Sequence, residues 1–208
     1  MSLERLGNVS FQIVVRSNVS HLIVKVTAYQ HTLSQISTEV AMSFLLAVLL
    51  VAFAALSRFI PHPANFTPIA AMALFGGVYF GKRYAFVIAL AAMLVSDYFI
   101  GFHNLLPYVY GSFILTGLIG IWLKGHKSIG WIVGASLSSS VLFYVITNFG
   151  VWMTGGYPPT TAGLAECYIA AIPFFRNTLL GDLVYVGVLF GLYESALYFL
   201  RSREAKQA

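Results

Sequence analysis

Between Ser57 and Pro68 the chain reads Ser-Arg-Phe-Ile-Pro-His-Pro-Ala-Asn-Phe-Thr-Pro, which sets Arg58, His62 and Asn65 among three prolines. A guanidinium presents a planar fork of donors that fits an anionic group. A second arginine, Arg176, stands six residues before Asp182. Arg58 and Arg176 are therefore expected to hold an anionic part of a small ligand. Asp97 and Asp182 would accept hydrogen bonds from its donors or orient the arginines. Asn148 would hydrogen-bond, and Trp152, four residues further on and so on the same helix face, would stack with Tyr157 on a flat ring. His62, Asn65 and His103 complete the expected substrate-binding set.

Other chemistries have less support. His62 and His103 could ligate a metal with Asp97 or Glu166, but no two histidines stand at i, i+4, so no metal and no cofactor are assigned. Cys167 is the one cysteine, with no histidine near it in sequence, which suits a small apolar residue rather than a nucleophile. No Ser-His-Asp arrangement is recognisable, so no catalytic residue is assigned and the chain is not expected to be an enzyme. Plainer roles compete at several positions. Arg58 at a helix end can snorkel to headgroups. Arg58 with Asp97, or Arg176 with Asp182, can lock helices together. Trp152, Tyr157 and Phe175 can form an interfacial aromatic belt. Glu194 is expected to pair with a basic loop residue.

The elements that must position these residues are apolar. The chain has 208 residues, 59% hydrophobic and 9% charged, with a mean hydropathy of +0.81. Average soluble domains carry about 25% charged residues, so the composition predicts an integral membrane protein. The formal charge of +5 then belongs to cytoplasmic loops rather than to a nucleic-acid surface, and no nucleic acid is expected as a partner. A lone cysteine excludes an internal disulfide framework. The N-terminus lacks the pattern of a cleavable signal peptide.

Residues 1–41 are mixed and polar, and either a cytoplasmic extension or a mis-assigned start, with Met42 as the natural first residue. From there six apolar runs, about 42–60, 67–81, 84–100, 107–123, 129–153 and 179–200, approach the ~17–25 residues that a crossing needs. A six-span membrane domain over 42–200 and a short basic tail, 201–208, follow. The prolines around His62 must end the first run, and the second can begin at Thr67 or Pro68. The long connection, 154–178, is polar first and apolar from Tyr168, where a short re-entrant or interfacial helix is expected. Lys82 and Arg83, Lys124 and Lys127, and Arg201, Arg203 and Lys206 all fall on one side of a six-span bundle. That side is the cytoplasm, with both termini inside. The site residues gather at the other side. The pairs Gly77–Gly81, Gly130–Gly134 and Gly187–Gly191, with Ser136 to Ser140, predict close helix packing, more within the bundle than against a partner.

The stretch Arg58 to Pro68 resembles a family of uncharacterised bacterial membrane proteins. So do Ala71-Met-Ala-Leu-Phe-Gly-Gly77, Ser96-Asp97, Gly101-Phe-His103, Tyr110-Gly-Ser112, Thr147-Asn-Phe-Gly-Val-Trp152, Ala171-Ile-Pro-Phe-Phe175 and Gly181-Asp182. The resemblance runs from about Met42 to Leu200. Size and span count are in turn similar to the S components of energy-coupling-factor vitamin transporters. Those are six-span proteins that capture a micronutrient from outside and work with an ATP-driven module. The resemblance implies an all-α, polytopic helix bundle in the bacterial inner (plasma) membrane, surrounded by lipid. It implies a small-molecule ligand taken from the outer face and an energising transporter module as partner. The chain itself lacks a phosphate loop. The alternatives are a non-catalytic assembly or scaffold protein and, further off, an intramembrane enzyme with Asp97, Asp182 or His103 as acid-base groups.

Overall fold

The computed structural model describes residues 45–80 and 86–207. The expectation for residues 1–41 lies outside them. Two compact units divide the chain, 1–46 and 47–208, and the helices described here belong to the second, α1 beginning at its edge. They are α1 (Leu45–Ser57), α2 (Ile69–Tyr79), α3 (Val87–Ile100), α4 (Leu106–Leu123), α5 (Ile129–Met153), α6 (Thr161–Ala170) and α7 (Ile172–Gln207). Among the described residues there is no strand.

Each of the six apolar runs holds a helix. The helices α4, α5 and α7, the last over Ile172–Phe199, are long and apolar enough to cross a membrane. Their outward faces carry side chains such as Ile129, Leu192 and Phe199, as expected of a membrane protein, where lipid solvates apolar surface. The shorter α2 has 11 residues and rises about 16 Å, half a hydrocarbon core. It is buried on every side, from Ile69 to Val78. An all-round apolar helix belongs in the middle of a fold, and α2 packs against α4 above all, then α7, α3 and α5. It starts at Ile69, one residue after the expected Pro68, which caps it: the Pro68 carbonyl accepts the first helical bond from Met72 at 2.9 Å.

The connection 154–178 folds differently from its expected form. Thr161–Ala170, which spans its change from polar to apolar, forms α6, because the Thr160 hydroxyl accepts from the Gly163 amide at 3.0 Å and caps it. The apolar part, from Ile172, is the first two turns of α7, which therefore starts well before 179. Pro173 explains the boundary: it lacks a donor for a helix continuing from α6 but suits a first turn. The basic tail continues α7 to Gln207.

Candidate functional site

Arg58 lies in the turn that closes α1, its amide donating to Ala55 at 3.2 Å. From there its guanidinium reaches α3. Nη1 donates to Asp97 Oδ1 at 2.5 Å and also to the Ser96 hydroxyl. The second carboxylate oxygen of Asp97 accepts from the Tyr110 hydroxyl on α4 at 2.9 Å. The Asp97 side chain is fully buried and that of Arg58 is 17% exposed. A carboxylate so enclosed is tolerable only because a cation and a hydroxyl satisfy it. One ion pair thus ties α1, α3 and α4 together.

Beside Arg58 opens a cavity of about 600 Å³, the size of a small-molecule site. His62, Asn65 and His103, all exposed, stand at its rim. Phe143, Thr147 and Asn148 of α5 and Phe174 and Phe175 of α7 form its walls, with Tyr157 from the loop after α5. Asp182 also lines it while only 2% exposed. Its Oδ2 accepts from the Ser140 hydroxyl of α5 at 2.6 Å.

The structure therefore brings Arg58, His62, Asn65, His103, Asn148, Tyr157 and Asp182 to one cavity, with Asp97 directly behind Arg58. Trp152 and Arg176 are not among its lining residues. The Trp152 indole donates to the Pro158 carbonyl at 2.9 Å and so braces the loop after α5. Arg176 is exposed. It cannot pair with Asp182, because residues six apart on a helix lie about 240° apart at roughly 100° per residue. Once α7 begins at Ile172, both residues sit on that one helix.

Several rim residues also hold the backbone. His62 Nδ1 donates to the Ile60 carbonyl at 2.6 Å, and His103 Nδ1 accepts from the Leu105 amide at 3.2 Å. Asn65 has φ 65°, a left-handed conformation that asparagine tolerates better than most residues. The Asn148 amide donates to the Tyr144 carbonyl of its own helix at 2.7 Å. Two further residues touch the acidic groups, Ser140 at Asp182 and Tyr110 at Asp97. The sequence does not single them out, since Ser140 lies in a serine-rich face that suits helix packing and Tyr110 carries no charge. Among the described residues Glu194 takes its side-chain hydrogen bond from the Tyr79 hydroxyl; Lys82 and Arg83 lie outside them.

Burial pushes the Cys167 thiol above its ordinary value, and it donates to the Asn148 carbonyl at 3.3 Å, so it links α6 to α5. Among the described residues no three histidine, cysteine or carboxylate side chains are grouped to hold a metal ion.

A family model described as a family of unknown function matches residues 38–205. No curated protein and no solved structure matches the chain.

Proposed function

The chain belongs to this family, DUF6580, whose function is unknown, and we propose that it is the substrate-binding subunit of a bacterial transport system. In this reading it is S-component-like and captures a small nutrient from the outer face of the inner membrane. The observation that carries it is the 600 Å³ cavity, which mixes aromatic walls with a few convergent polar groups. The excess of basic residues toward the opposite end supports a rim that faces outside. The six-span count requires α1, α2 and α3 to cross with local thinning of the bilayer. Energy would come from a partner module or a gradient.

A second reading, a non-catalytic assembly or scaffold protein, is favoured by one feature. The glycines Gly130, Gly134, Gly187 and Gly191 face open space, where small residues admit a partner helix.

Native mass spectrometry of gently purified protein separates the two. The transport reading expects a bound small molecule that is depleted by Asn148→Ala. A reproducible extra protein subunit without any small molecule would instead select the scaffold reading.

A further inference from the structure

The charge balance of the cavity specifies a ligand class, given the binding reading above. Its arginine is already committed: Arg58 pairs with the fully buried Asp97. The second arginine expected to hold an anion, Arg176, is exposed and does not line the cavity. What remains is Asp182, 2% exposed, on the cavity wall. Among the described residues its one side-chain hydrogen bond comes from the neutral Ser140 hydroxyl, and it forms no ion pair. Among the described residues neither rim histidine pairs with Asp182. Both are exposed, and each spends Nδ1 on a neighbouring backbone group.

Position adds to charge. Ser140 lies eleven residues below Val151, the last cavity residue on α5, about 16 Å along the helix. Asp182 therefore sits deep in the site. Above it are two aromatic pairs, Tyr144 with Phe175 at 4.5 Å between ring centroids and Phe113 with Phe143 at 5.3 Å. Aromatic faces attract cations, more strongly where water is excluded.

We infer that the cavity binds an organic cation, whose protonated nitrogen meets the Asp182 carboxylate while its flat or apolar body lies between these rings. A carboxylate buried in a membrane bundle without a cation is costly, and such a ligand supplies the counter-charge that the fold does not. The anion expected from the sequence is replaced by its opposite.

The test uses three probes of matched size, 2-phenylethylamine, 2-phenylethanol and 3-phenylpropanoate. They are offered at equal concentration to the full chain in phosphatidylcholine nanodiscs, and retained probe is measured by mass spectrometry above empty discs. The wild type is expected to retain the amine at least tenfold over the other two. Asp182→Asn abolishes that preference, and Ser140→Ala, which keeps the carboxylate, preserves it. Should Asp182→Asn not fold, Thr178→Lys gives an independent arm. Thr178 lines the cavity and precedes Asp182 by one helical turn, so a lysine there can supply an internal cation and is expected to displace the amine. Preferred retention of the acid or the alcohol, or an amine preference that survives Asp182→Asn, overturns the cation assignment and leaves a binding cavity standing. Retention of none of the three by the wild type overturns the cation assignment as well, and native mass spectrometry of the gently purified protein then judges the binding reading separately.

Discussion

At Asp97 a single carboxylate joins three segments of the bundle through Arg58 and Tyr110. Asp97→Asn removes the charge but not the volume, and leaves Arg58 without its counter-ion. Removing one partner of a buried pair costs on the order of 3–5 kcal/mol, with the lower end expected here because Arg58 keeps 17% exposure. Tyr110→Phe removes one hydrogen bond and should cost about 1–2 kcal/mol. Thermal unfolding in detergent checks both, with Asp97→Asn expected to fall further. An Asp97→Asn protein as stable as wild type would show that the pair does not hold the helices. This pair was legible in the sequence, since Arg58 ends one apolar run and Asp97 lies one turn inside the end of another. The role of Asp182 was not. Its neighbour in sequence, Arg176, is held away by the helical turn, whereas its partner in space, Ser140, comes from another helix, 42 residues earlier.

The element that decides the packing is α2, and glycine sets its distance from α4. A Cβ added at Gly120 would stand 2.5 Å from the Leu74 carbonyl oxygen, and one at Gly77 2.6 Å from the Gly120 carbonyl carbon. Neither obstacle is a side chain that can turn aside, so Gly120→Ala forces the helices apart. Overpacking of this kind costs typically ~1–3 kcal/mol, and a lower unfolding temperature is expected. Gly187→Ala meets nothing within 4 Å and should leave that temperature unchanged. Equal effects of the two substitutions would contradict the close α2–α4 approach. The sequence marked all three glycine pairs alike, and their expected use within the bundle is seen at Gly77, while Gly81 lies outside the described residues. Gly130, Gly134, Gly187 and Gly191 face outward because their helices have one face each to the bundle. Spacing alone cannot say which face that is. Nor could it choose the α6–α7 boundary, where Thr160 and Pro173 outweigh the change from polar to apolar residues.

Among the described residues, charged side chains other than Asp182 lie toward two ends. At one end Tyr79 closes α2, its hydroxyl bonded to Glu194, and the Lys127 ammonium lies 4.7 Å from the centre of its ring. At the other are Arg58, the rim of the cavity and the turn before α4. Alternating apolar runs made this division legible, because each crossing returns the chain to the opposite side. That α2 is enclosed was legible in part, since it is short and apolar all round, but its close partner was not, because the approach of α4 depends on Gly77 and Gly120 meeting in space. The excess of lysine and arginine at the Lys127 end predicts that this end is cytoplasmic. Cysteine labelling tests it in a Cys167→Ala background, with Lys127→Cys between α4 and α5 and Asn104→Cys and Pro159→Cys at the cavity end. All three positions are exposed. A membrane-impermeant maleimide applied to intact spheroplasts is expected to label positions 104 and 159, and to label 127 only after permeabilisation. The reverse pattern would turn the cavity toward the cytoplasm and exclude uptake from outside. Labelling of 127 and 159 from one side would mean that α5, the 25-residue helix between them, does not cross the membrane.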